Sequence, residues 1–75
     1  MTKLPVISGK KLLNLLKKNG YLMVRQKGSH VFVESLEEGR GTIIPVHGNE
    51  DLGKGILKSI LRDLNLDAED LLRMF

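Results

Sequence analysis

The chain contains no cysteine, so it has neither a disulfide framework nor thiolate chemistry, and a reducing compartment suits it. It has no tryptophan, one tyrosine and two phenylalanines, which leaves little for an aromatic stacking platform. Phe32 is the best candidate for that role. No apolar run approaches the roughly 20 residues a membrane-spanning helix needs. The start, Met1-Thr2-Lys3-Leu4-Pro5, lacks the continuous apolar stretch of a signal peptide. The cytoplasm is therefore the expected compartment, with no membrane partner. Acidic residues are missing from the first 33 positions, which hold the bases Lys3, Lys10, Lys11, Lys17, Lys18, Arg25 and Lys27. All nine acids and the other five bases lie from Glu34 onward. The amino-terminal half should project positive potential toward a polyanion, nucleic acid first and an acidic protein surface second. The plain alternative is a solvated lysine-rich helix face.

With 75 residues there is room for one domain, residues 1–75, and one small core. A chain of this size buries only about 60% of the surface its unfolded form exposes, so modest stability is expected. Ser8 reads as a helix N-cap, with Ile7 and Leu12 spaced as a hydrophobic staple. Leu12, Leu13, Leu15 and Leu16 form an apolar stripe among lysines, and Asn19-Gly20 stops the helix, placing it at about residues 9–19. Two β-prone runs follow, residues 21–26 and 30–34, joined by Lys27-Gly28-Ser29 as a hairpin. A longer glycine-bearing turn over residues 36–41 leads to a third strand, residues 42–46. Pro45 cannot donate to a ladder, so this strand should lie at an edge, leaving the second strand central. In that second strand, alternation puts Val31 and Val33 toward the helices and His30, Phe32 and Glu34 on the opposite face. From Gly53 the pattern turns helical, with Ile56, Leu57, Ile60, Leu61 and Leu64 on one face and Lys54, Lys58 and Arg62 as a basic row opposite. Asp67 reads as another N-cap with Asp70 as its partner, opening a short helix whose Leu71, Leu72 and Phe75 should close the core. The expected class is α+β: helix, three-stranded antiparallel meander, helix, short carboxy-terminal helix.

The chemistry concentrates in Arg25-Gln26-Lys27-Gly28-Ser29-His30, at the hairpin turn. Arg25 and Lys27 offer charge, Ser29 a hydroxyl, Gly28 an unobstructed backbone, and His30 can carry a proton near neutral pH. These are the parts needed to hold a phosphodiester and move one proton on it. A neutral imidazole at His30 can deprotonate a ribose 2′-hydroxyl, which then attacks the adjacent phosphorus, while Lys27, Ser29 and backbone amides stabilise the phosphoryl charge. The bland reading of His30 is a polar residue ending a turn. His47 directly follows the third strand and, in an antiparallel meander, should lie at the same rim as His30. It is a candidate second acid/base, or else a cap on the strand end. The amides at Gly53-Lys54-Gly55 should be near too and would suit an anion. Two histidines with no cysteine nearby supply too few donors for a metal centre, so neither a metal nor a small-molecule cofactor is expected. The row Lys54, Lys58 and Arg62 is either a solvated face or a track for phosphates.

Four segments, Leu4-Pro5-Val6-Ile7-Ser8-Gly9-Lys10, Arg25-Gln26-Lys27-Gly28-Ser29-His30, Pro45-Val46-His47-Gly48 and Gly55-Ile56-Leu57-Lys58-Ser59-Ile60-Leu61, together resemble HicA, the toxin of HicBA toxin–antitoxin modules. The resemblance covers essentially the whole chain in order. It implies a double-stranded-RNA-binding-like fold, an endoribonuclease that cleaves messenger RNA, and a HicB antitoxin that covers the active site. The family's catalytic histidine falls on His30 and its second histidine motif on His47. Gly53-Lys54-Gly55 departs from the Lys-Pro-Gly-like start common in relatives, which should loosen that helix N-terminus without removing function. Two other readings stay open: a non-catalytic RNA-binding module using the basic helix faces, and an adaptor docking an acidic protein.

Overall fold

Ser8 takes extended backbone, and its Oγ accepts the N–H of Lys11, which satisfies one of the free amides that open the first helix. That helix, α1 (Gly9–Lys18), ends where Gly20 turns left-handed at φ 88°. A computed structural model describes residues 3–75. Met1 and Thr2, part of the stretch weighed above as a leader, lie outside them. After α1 come β1 (Tyr21–Lys27), β2 (His30–Ser35), β3 (Gly41–Pro45), α2 (Lys54–Asp63) and α3 (Ala68–Arg73). The expected α+β order is therefore the observed one. The sheet is an antiparallel meander with β2 in the centre and Pro45 on an edge strand.

One layer of helices covers one face of the sheet: α1 lies against β1 and β3, and α2 lies against β3. Val31, Val33 and Ile44 point into this interface and meet Leu12, Leu16, Leu57, Ile60, Leu64 and Leu71 in the core. Each such side chain contributes about 1.5–3 kcal/mol on full burial, opposed by chain entropy. The approaches to the two long helices are tied together, since Leu52 donates its N–H to the Ile7 carbonyl at 2.8 Å and Ser8 bridges to Asp51. Asp67 and Asp70 form the expected capping box at α3, each carboxylate accepting the other residue's N–H, at 2.8 and 2.9 Å.

Three core assignments fail. Ile56 is 49% exposed, because α2 rests on an edge strand and its buried face is Leu57, Ile60, Leu61 and Leu64, leaving Ile56 on the overhanging flank. Phe75 and Leu72 are also exposed, since the six residues of α3 present only Leu71 to the core. Smaller differences lie at element ends: the hairpin loop is two residues rather than three, and β3 begins at Gly41.

Candidate active site

A two-residue loop between right-twisted strands requires positive φ at its first position, and Gly28 supplies it at φ 59°. Lys27 and His30 then face each other across the end of the hairpin, and Gln26 Nε2 donates to the Gly28 carbonyl at 3.0 Å to brace the turn. Direct alternation along β1 would place Arg25 and Lys27 on the same face as Tyr21 and Met23, toward the helices. A β-bulge between Met23 and Arg25 absorbs Val24 and reverses that phase. Met23 stays opposite Val33, on the helix side, while Arg25 sits opposite Phe32 and Lys27 opposite His30, on the open face. The basic pair shares a face with the histidine because of this one inserted residue. Nothing in the apolar-on-both-faces pattern of β1 announced it.

The result is a cavity of about 430 Å³ lined by Arg25, Lys27, Gly28, Ser29, His30, Phe32 and Ile43. His30 is exposed at the rim, and the expected cluster Arg25, Lys27, Gly28, Ser29 and His30 is brought together in full. Its positive groups carry no ion pair among the described residues, so their charge is free to meet an anion. Phe32 and Ile43 add an apolar wall to this open, basic cleft.

His47 arrives at the same rim, as the meander requires. Val46 donates its N–H to the Ser29 carbonyl at 2.6 Å, and Ser29 Oγ lies 3.4 Å from His47 Nε2. The two histidines nonetheless face different recesses. His47 lines a separate cavity of about 280 Å³ with Pro45, Glu50, Asp51, Leu52, Gly53 and Ile56. The opening of α2 is thus close, but the carboxylates of Glu50 and Asp51 share the space, which disfavours the anion expected at Gly53-Lys54-Gly55. The basic row divides as well. Lys58 and Arg62 line a third cavity beside Leu4, Asn65 and Asp67, and all three cations of the row are exposed away from the His30 cleft. Among the described residues, no group of three or more His, Cys, Asp or Glu is placed to hold a metal ion, and no helix is long and apolar enough to cross a membrane.

Sequence reasoning missed a polar pair at the far side of β3. Thr42, buried, donates its hydroxyl to Asp63 Oδ2 at 2.9 Å and so fixes the end of α2 against the sheet. The only signal was a threonine at an inward-facing strand position.

A small α+β domain with one sheet face open, a two-residue hairpin turn and an exposed histidine among free cations is the class these features define. The family model for the HicA toxin of bacterial toxin–antitoxin systems matches residues 9–66. The chain is also 43% identical over 51 residues to a protein of Pseudomonas fluorescens (strain Pf0-1) named probable mRNA interferase HicA, a match covering 68% of this chain and 82% of that one. The chain belongs to the HicA toxin family.

Proposed function

We propose that the protein is a metal-independent endoribonuclease that cleaves messenger RNA, with His30 as general base. The observation that carries this reading is the exposed imidazole in a cleft whose free charges, Arg25 and Lys27, belong to the same hairpin. A backbone phosphate seated between those cations brings the neighbouring 2′-hydroxyl to His30. The imidazole takes the hydroxyl proton, O2′ bonds to phosphorus, and the P–O5′ bond breaks to give a 2′,3′-cyclic phosphate and a 5′-hydroxyl end. Lys27, the Ser29 hydroxyl and the turn amides stabilise charge on the non-bridging oxygens. His47, held against Ser29, is the proposed acid that protonates the departing O5′. The name of the Pseudomonas relative supports messenger RNA as the substrate. Family membership supports an antitoxin partner, proposed to be HicB-like and to cover the open face, and the cytoplasm as the working compartment.

The test is digestion of messenger RNA in EDTA by wild type and by His30→Ala, with both proteins shown to melt alike. Cleavage by the wild type and none by the variant is the expected result. Equal cleavage removes His30 from the chemistry. Binding without cleavage by either protein supports an RNA-binding module instead.

A further inference from the structure

Beside the His30 cleft, a fourth cavity of about 370 Å³ runs between β3 and α2, lined by Phe32, Gly41, Thr42, Ile43, Ile56, Ser59, Ile60 and Asp63. The two recesses share Phe32 and Ile43 as walls. The Phe32 ring lies against Gly41, where a Cβ would meet the ring Cζ at 3.0 Å and the Val33 carbonyl oxygen at 3.1 Å. A side chain at position 41 would push the ring away, so this glycine lets an aromatic surface stand between the two spaces. Ile43 and Ile56, each about half exposed, extend an apolar surface from it.

The chemistry of the two recesses is complementary. The first holds Arg25 and Lys27. The second holds no cation, and its one charge is the Asp63 carboxylate. A phosphate belongs in the first and is repelled from the second, whereas a nucleobase fits an apolar trench with an aromatic wall. Asp63 is also held in place: Oδ2 accepts from the buried Thr42 hydroxyl at 2.9 Å, while Oδ1 has no partner among the described residues. An ionised carboxylate only accepts hydrogen bonds. Adenine, cytosine and guanine each carry an exocyclic amino donor, whereas uracil offers only an N3–H set between two carbonyl oxygens, which a carboxylate repels.

We propose that the trench between β3 and α2 binds the base flanking the scissile phosphate, and that Asp63 Oδ1 selects a base bearing an exocyclic amino group over uracil. This rests on the reading of the first cleft as the site of RNA cleavage. Asp63 is a specificity residue, with no part in the proton transfers.

The experiment has two arms. In the first, a random-sequence RNA pool is cut by wild type and by Asp63→Asn, and the product ends are sequenced. The asparagine can still accept from Thr42 through its carbonyl oxygen, but it offers an amide donor where the carboxylate offered an acceptor. Wild type should disfavour uracil at one position flanking the cut by about tenfold or more, the worth of roughly one hydrogen bond to a charged acceptor. Asp63→Asn should erase or reverse that bias. In the second arm, His30→Ala, alone and combined with Asp63→Asn, binds uncut pentamers of A, C or U. The single variant should prefer A and C over U, and the double variant should lose the preference. Ile56→Ala, at an exposed position that the fold tolerates, should weaken all three pentamers about threefold. Base frequencies unchanged by Asp63→Asn, or pentamer affinities indifferent to both Asp63→Asn and Ile56→Ala, would overturn the proposal. If wild type cuts nothing, the cleavage reading fails on its own and the binding arm alone decides the trench.

Discussion

Gly9 opens α1 where the helix meets the end of β3, and it leaves no room for a larger residue. A Cβ built there collides with the Pro45 carbonyl oxygen and falls 3.1 Å from its carbon and 3.4 Å from Val46 Cα. All three neighbours are backbone atoms, so no side chain can rotate out of the way. Gly9→Ala must separate α1 from β3 by about an ångström, and overpacking of this kind costs about 1–3 kcal/mol. For a chain of 75 residues that corresponds to a fall in Tm of roughly 5–20 °C. The displacement also reaches the site, because Val46 follows Pro45 and donates to the Ser29 carbonyl at 2.6 Å. Cleavage measured well below the melting point should therefore fall by about tenfold or more, as expected when reacting groups are misplaced. Gly55→Ala is the matched control, since a Cβ there meets nothing within 4 Å. It should raise stability by about 0.4–1 kcal/mol through the unfolded chain. Thermal denaturation followed by circular dichroism reads both variants. A Gly9→Ala protein that melts within a degree or two of wild type would refute the packing argument.

Other outcomes follow from the charges and the second histidine. The N–H of Asp67, chiefly, and the Arg73 guanidinium hold the Asp70 carboxyl below its ordinary value of 3.8. Its stabilising contribution is thus complete above that value and is lost as pH falls through the depressed folded value. The Tm gap between wild type and Asp70→Ala should shrink on acidification below about pH 4, and a gap constant down to pH 2 would contradict the capping box. If Lys54, Lys58 and Arg62 track RNA phosphates, replacing all three by Ala should reduce the slope of log affinity against log salt by about 2, and an unchanged slope would return them to a solvated face. If His47 is the acid, His47→Ala should cut ordinary RNA slowly yet regain rate on a substrate whose leaving group needs no proton. Equal deficits on both substrates would limit His47 to positioning Ser29.

Local chemistry was readable residue by residue. Ser8, Gly20 and Asp67 mark helix ends because each satisfies, or frees, specific backbone groups, and the structure uses all three as expected. Pro45 set the strand order by what it cannot donate, and that order put His30 and His47 at one rim. What stayed hidden depended on partners distant in sequence. Ile56 fits the helical stripe, yet an edge strand covers only part of that stripe. The bulge at Val24 lets Met23 share the helix side with Val33 while Arg25 joins Phe32 on the open face, and β1, apolar on both faces, holds no record of it. Asp63 gains meaning only from Thr42, 21 residues earlier.

The central claim is that the ring of His30 activates a ribose hydroxyl. Its most direct test is a short RNA cut at one known position, remade with a single 2′-deoxy sugar there and digested in EDTA. The mechanism predicts a 2′,3′-cyclic phosphate on the all-ribose strand and no cut at the substituted position. Cleavage of the deoxy-substituted strand at the same rate would contradict it.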